Sequence, residues 1–318
     1  ATAPTGEHGH GAVGIPGTVA ALTRALAEHG TLPLVTVLEP ARRWAREGLT
    51  LTVGEAGRLA GFVGELDSGS ETARRFAAPD GTPLEPGSLL VQEDLAGVLD
   101  LLAEHGPDAY YRGPVAERIA EDMAANGGFV TAADLGAYRA EDSAVGYGRY
   151  RGLELVGGYL PASGVTVIQI LQILDRFTLP PDEAAWAALL AEALEAGFQD
   201  RETAEPWGAE RAVAWLTSDS LADRRAREIE TRLATSAPRA MAGVAQTDEH
   251  PFTTHLSVAD TFGNVVALTQ SLGPTGGARV VTPGLGFLYA STLGGYLSGG
   301  GPGYRPWSSQ APLLVLED

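Results

Sequence analysis

The chain has no cysteine among its 318 residues. That absence excludes disulfides, thiolate catalysis and cysteine-ligated metals, and leaves the compartment open. Positive charge is also scarce: 22 Lys and Arg stand against 40 Asp and Glu, for a formal net charge of −18. Such a surface repels phosphate backbones and anionic lipid, which argues against nucleic acid as a partner. No apolar run approaches the roughly 20 residues that span a bilayer. Ala1 to His10 is small and polar, without the hydrophobic stretch of a signal peptide. The first residue is not methionine, from which we expect a processed, trimmed or partial sequence. Hydrophobic residues make up 44% of the chain, enough to bury a sizeable core in one large domain or two smaller ones.

The pattern reads as helices first and strands last. Pro16 and Gly17 open a helix with Val19, Leu22 and Leu26 on one face, and Gly30 ends it. A second helix is expected from Pro33 to Glu47, stopping at Gly48, and a third from Gln92 to His105, with Leu95, Leu99 and Leu102 in one stripe before Gly106. Pro114 to Asn126 repeats the pattern, and Thr131 with Asp134 forms a capping-box signature for a short helix. Further helices are predicted at Val165–Phe177, Asp182–Asp200 and Ser218–Leu233. From Thr253 the residues become β-rich. Thr254–Asp260 and Asn264–Ser271 flank Thr261, Phe262 and Gly263 as a hairpin, and strands are expected at 279–282, 286–289 and 313–316. The glycine-rich run from Gly294 to Tyr304 reads as a loop.

The stretch Thr253, Thr254, His255, Leu256, Ser257 carries the chemistry, because a hydroxyl residue opens a strand directly after a polar, proline-containing segment, Gln246 to Phe252. A threonine freed at a chain start has its own general base, the α-amine, beside its hydroxyl, and such a pair activates a weak nucleophile. A self-cleaving amide hydrolase is the leading reading.

Several segments resemble the γ-glutamyltransferase (γ-glutamyl transpeptidase) family: GIPGTVAALTRALAEHGTLP with EPARRWAREGL, then LVQEDLAGVLDLLAEHGPDAYYRG, NGGFVTAADLGAYRA and YRGLELVG, and finally the VIQILQIL helix, TTHLSVAD with GNVVALTQS, and SSQAPLLVLED. They occur in family order from near residue 11 to the C-terminus. The resemblance implies an α+β fold, the four-layer αββα N-terminal-nucleophile hydrolase sandwich, in which two stacked, mainly antiparallel sheets have helices outside. It implies a precursor cut between Phe252 and Thr253, with residues 1–252 as a large-subunit-like region and 253–318 as the start of a small-subunit-like β region. The two would form one structural domain and stay associated after cleavage. Thr253 would be the nucleophile and Ser271 its hydrogen-bond partner, standing where the family has threonine. Ser308 and Ser309 would hold a substrate carboxylate. Thr269 keeps its family identity, with a structural role. No cofactor and no metal are implied; the partner is a small amide or peptide, and the compartment is periplasmic or extracellular.

Three positions depart from the family. Gly273 stands for asparagine, Thr292 for glutamine, and Gly295 for an aspartate that pairs with the α-amino group of a glutamyl donor. The last removes a charged partner of an ammonium group and opens the alternative of an amidohydrolase for a non-glutamyl substrate. The family also has two oxyanion-hole glycines beyond the strand equivalent to Leu313–Leu316, and a carboxylate-binding arginine in a region ahead of residue 1. Their absence here leads us to expect a partial sequence, and it leaves open a catalytically inert homologue acting as a binding or structural protein.

Other conspicuous residues have plainer readings. His255 is expected to be structural, since an N-terminal threonine needs no histidine. His8 and His10 are expected in a solvated, glycine-rich tail rather than at a metal, and Asp200 with Arg201 as an ion pair at a helix end. Arg42, Arg43 and Arg46 read as a solvated helix face, and Gly276–Gly277 as a pocket wall or a plain turn.

Overall fold

A computed structural model describes residues 6–235, 253–294 and 303–317. These divide into two compact units: the first holds residues 6–141, Thr253 and 271–294, and the second holds 142–235, 254–270 and 303–317.

The first unit is mostly helical. Its elements are α1 (Thr18–His29), α2 (Leu34–Glu47), β1 (Leu49–Thr50), α3 (Val53–Val63), α4 (Glu71–Phe76), β2 (Leu89–Leu90), α5 (Glu93–His105), α6 (Asp108–Tyr111), α7 (Pro114–Ala125) and α8 (Ala132–Ala137). The punctuation read from the sequence decides most ends. Gly30 and Gly48 close α1 and α2, and Pro114 occupies the first turn of α7, where its missing N–H costs nothing. Thr131 and Asp134 form a reciprocal capping box on α8, as Thr52 and Glu55 do on α3; each cap is worth about 1 kcal/mol. The core gathers Val98 and Leu102 of α5, Tyr110 and Tyr111 of α6, and Val115, Ile119 and Met123 of α7 around Val280, Leu285 and Tyr289.

Two expectations are corrected in this unit. Residues 279–282 and 286–289 do not form strands. Backbone bonds run from Ala278 N to Tyr289 O (2.9 Å) and from Tyr289 N to Val280 O (3.3 Å), but positive φ at Arg279, Gly284 and Gly286 breaks the extended backbone a longer ladder needs. The arginines of α2 are not all a solvated face, because Arg42 donates to Asp100 of α5 at 2.7 Å and Arg46 also pairs with that carboxylate. Together they hold Asp100 below the usual carboxylate range, and they join two helices that the sequence treats separately.

The second unit is built on an antiparallel sheet with helices packed against it. Strands β3 (Val145–Tyr150) and β4 (Leu153–Gly158) come in the middle of the chain, so the expected order of helices first and strands last does not hold. Four glycines within these two strands blur the alternation that would mark them in sequence. The helices α9 (Gly164–Leu174), α10 (Glu183–Ala204), α11 (Ala209–Leu216) and α12 (Asp219–Thr235) follow, then the hairpin strands β5 (Thr253–Ala259) and β6 (Val265–Ser271), whose end residues Thr253 and Ser271 are counted with the first unit, and β7 (Leu313–Leu316). The sheet order is β3-β4-β7, with Tyr147 opposite Val156 and Leu155 opposite Val315.

Ile170, Ile173 and Leu174 of α9 pack against Leu189, Ala193 and Ala196 of α10 and Ala222 and Ile229 of α12. Two glycines set how closely α9 approaches its neighbours. A Cβ on Gly148 would lie 2.3 Å from Ile168, and one on Gly197 would lie 2.5 Å from Ile170. Either substitution forces α9 off the sheet or off α10.

Candidate active site

Thr253 is the first residue of β5 and is solvent-exposed. Its Oγ donates to Ser271 Oγ at 3.1 Å, across the open end of the hairpin. The same serine oxygen accepts from Gly273 N at 3.0 Å, which ties the start of the outgoing loop to the hydroxyl pair. Gly273 has φ of +88°, a region that glycine enters freely and asparagine more readily than most other residues, so the departure from the family residue at this position suits the backbone. The hairpin is closed at its far end by Asp260: its carboxylate accepts from Phe262 N (2.8 Å), Asn264 N (2.9 Å) and the Asn264 side-chain amide (2.7 Å). Those bonds, the Asn264 side chain first, hold the Asp260 carboxyl below its usual pKa.

His255 lies two residues along β5. Its Nδ1 shares a hydrogen bond with Thr269 Oγ at 2.7 Å, and its Nε2 one with Ser257 Oγ at 3.0 Å. With both ring nitrogens engaged, it staples β5 to β6, as does Thr269, which matches the structural reading of each. While residue 253 is joined to Phe252, its nitrogen is a peptide amide and has no basic lone pair. The amine that would deprotonate Oγ exists only after that bond breaks. Phe252, and Gly295 with most of the predicted glycine-rich loop, lie outside the described residues.

Ser308 and Ser309 lie in the second unit. Ser308 is fixed through its backbone: its N–H donates to Pro161 O (2.8 Å), and its carbonyl accepts from Ser163 Oγ (2.7 Å) and from Arg201 Nη1 (3.3 Å). Its own Oγ accepts from Gln310 N at 3.0 Å, and Ser309 is exposed. Arg201 corrects the expected pairing with Asp200. Neighbours on a helix point about 100° apart, and here they serve different partners. Asp200 is fully buried, takes Arg225 in a two-bond fork and accepts from Gln169 Nε2 at 2.5 Å. Arg201 Nη1 instead donates to Ser163 Oγ at 2.6 Å, and its guanidinium lies 5.0 Å from the Trp307 ring centre. The Asp200 fork raises the pKa of Arg225, whereas burial lowers that of Arg201. Sequence reasoning missed Ser163 altogether; a serine at the head of α9 looks like an ordinary cap, yet its side chain makes no cap bond.

The histidines near the start both have partners, His10 half-buried and His8 still exposed. His8 Nδ1 bonds to Gly277 O (3.1 Å) and His10 Nε2 to Asp122 Oδ2 (3.2 Å). Gly277 N bonds to Pro274 O at 2.7 Å, so the Gly276–Gly277 pair makes a turn. Among the described residues no group of three or more His, Asp or Glu side chains is arranged to hold a metal ion, and no helix is long and apolar enough to cross a membrane.

Comparison with known proteins fits this arrangement. The family model for gamma-glutamyltranspeptidase matches residues 2–318. The chain belongs to that family. It is 37% identical over 319 residues to the acylase ACY 1 proenzyme of Pseudomonas sp. strain SE83, covering 96% of this chain and 56% of that protein. It is 34% identical over 338 residues to the glutathione hydrolase proenzyme of Escherichia coli K12, covering 97% and 57%. The chain thus spans a little over half the length of the curated relatives it matches. Among solved structures, a cephalosporin acylase from Bacillus halodurans superposes with a TM-score of 0.80 at 23% identity, over 99% of this chain and 60% of that one. The γ-glutamyltranspeptidase of Helicobacter pylori superposes at 0.63 with 27% identity, over 76% and 72%. The α+β class and the N-terminal-nucleophile hydrolase fold expected from the sequence are those of these structures.

Proposed function

We propose that this chain carries the nucleophile of a self-processing, γ-glutamyltransferase-like amide hydrolase. The observation that carries the reading is the exposed Thr253 hydroxyl, hydrogen-bonded to Ser271 at 3.1 Å at the start of a strand, at the family's cleavage position. In the processing step, Thr253 Oγ attacks the Phe252 carbonyl carbon, the C–N bond breaks as the nitrogen takes a proton, and an ester joins Phe252 to Oγ. Water then cleaves the ester and leaves Thr253 with a free amine. In turnover that amine takes the hydroxyl proton as Oγ attacks a substrate amide, the leaving amine takes a proton, and the acyl-threonine passes to water or to an acceptor amine. Ser271 orients Oγ throughout. Ser308 and Ser309 receive the carboxylate of the acyl group. The large and small fragments remain associated, the substrates are small amides or peptides, and the enzyme acts in the periplasm or outside the cell.

Two observations favour a donor without an α-amine: glycine stands at residue 295 in place of the family's aspartate, and the acylase proenzyme is among the relatives at highest identity. Purified wild type is expected to split into a large and a small band, and Thr253→Ala to stay whole. An uncut wild type without amidase activity marks an inert homologue and overturns the reading. Rates on a γ-glutamyl anilide and on a glutaryl anilide, the same acyl group lacking the amine, separate the two donor classes. Preference for the glutaryl compound supports the amidohydrolase form; preference for the glutamyl compound supports the transferase form.

A further inference from the structure

Among the described residues, Arg201 is a buried cation with no ion-paired counter-ion. It is 4% exposed, its neighbour Asp200 is committed to Arg225, and Arg201 makes no ion pair among the described residues. A guanidinium stays charged at any working pH, and a buried charge must be compensated by dipoles and polarisable groups when no opposite charge is present. The groups in contact are few: Ser163 Oγ at 2.6 Å, Ser308 O at 3.3 Å, and the rings of Trp307 and Phe198 at 5.0 and 5.9 Å, while Tyr159, Glu202 and Tyr304 act on the guanidinium through longer-range charge without an ion pair. Its Nε, also buried, has no hydrogen-bond partner among the described residues. Both direct oxygen contacts lead to one peptide group, because Ser163 Oγ donates in turn to Ser308 O at 2.7 Å. That carbonyl shares its peptide plane with the N–H of Ser309. Two donors on the oxygen, one of them cationic, draw electron density toward it and make the Ser309 N–H a stronger donor.

We infer that Arg201 is a positioning residue, which through Ser163 and the Ser308 carbonyl fixes the Ser308–Ser309 pair and places a permanent cation behind it to favour an anionic carboxylate. The inference rests on the proposed role of that serine pair and adds what gives it charge selectivity. Ser163 is the mechanical link, and Trp307 shields the cation from water on one side.

The test is steady-state kinetics on two anilides that differ only in carrying a free carboxylate or its carboxamide on the acyl group, whichever acyl class the protein turns over. The wild type is expected to prefer the carboxylate. Arg201→Met, which keeps the apolar stem between the rings, is expected to lower that preference roughly tenfold, about the effect of losing one hydrogen bond to a charged group. The loss falls in KM rather than kcat. Arg201→Lys restores most of the preference, and Ser163→Ala gives an intermediate loss. Should Arg201→Met fail to fold, Ser163→Ala and Arg201→Lys decide the matter. Variants that slow both anilides equally, or that leave the preference intact, overturn the inference. The Ser308→Ala/Ser309→Ala double variant separates the two layers: if it retains the preference, or the wild type has none, the serine-pair reading falls and this inference with it. If the double variant loses the preference while the Arg201 and Ser163 variants keep it, only the role of Arg201 falls.

Discussion

Thr253 opens a strand and Ser308 lies within the irregular stretch ahead of β7, and the surroundings of these two hydroxyl residues differ in kind. Thr253 is exposed and holds one side-chain partner, Ser271. Ser308 has its N–H, its carbonyl and its Oγ all engaged, and a buried arginine stands behind the carbonyl. The difference teaches what each place is for. Under the proposed function, Thr253 Oγ must leave its hydrogen bond and form a covalent one, and it sits where few contacts among the described residues resist the movement. Under the same proposal, the Ser308–Ser309 peptide must present two hydroxyls in a fixed direction, and it is held by several bonds, each costly to leave unmade where water is excluded.

The strongest way to break that contrast is at the buried end. Asp200→Ala removes the acceptor of Gln169 and of two Arg225 bonds, leaving Arg225 paired with Glu228 alone, and denaturant unfolding is expected to show a loss of about 2–4 kcal/mol, somewhat below the cost of fully orphaning a buried ion-pair partner. A loss under about 1 kcal/mol would mean the polar centre of the second unit is not an anchor. At the exposed end, Ser271→Ala is expected to slow appearance of the small fragment roughly 10- to 100-fold, as loss of a hydrogen bond to a developing charge does, while Ser271→Thr stays within about threefold. An unchanged rate in Ser271→Ala would show that Thr253 needs no orienting partner. Smaller again is Asp100→Ala, expected to cost at most about 1 kcal/mol, because its pairs with Arg42 and Arg46 lie near the surface; a shift in denaturation midpoint that fades in high salt is the signature.

The smallest effect concerns the hairpin tip. Asp260 has a folded-state pKa below its ordinary value of 3.8, so its contribution is full above that value and is lost as pH falls through the lower, folded one. Protection of the Phe262 and Asn264 amides, relative to the exchange of the unstructured chain at the same pH, is expected to fall only in that acid window. A loss of protection near neutral pH would point to another group.

Much of this architecture was legible in the residues because single positions decide it. Gly30, Gly48, Pro114 and the Thr131–Asp134 box end or start helices by backbone geometry alone, and the Thr261–Gly263 turn fixes the hairpin. The partnership of Thr253 with Ser271 is what the family resemblance implies, whereas the meeting of His255 with Thr269 across the hairpin is seen only in the structure. What failed were features that depend on tertiary partners. The strands β3 and β4 are hidden by glycines whose purpose is the close approach of α9. Short helices such as α4 and α6 are set by packing rather than by pattern. Arg201 is expected to pair with Asp200 because the two match an Asp-Arg pair of the family, whereas adjacent positions on one helix send the two side chains to different neighbours. Likewise nothing in a run of three arginines tells which will meet Asp100 on another helix.

The most direct measurement is the intact mass and amino-terminal sequence of the purified protein's small fragment. A fragment that begins with Thr253 bearing a free amine, present in wild type and absent from Thr253→Ala, is the predicted result. A wild type that cleaves amides while its chain stays whole, or that is cut at another bond, would contradict it.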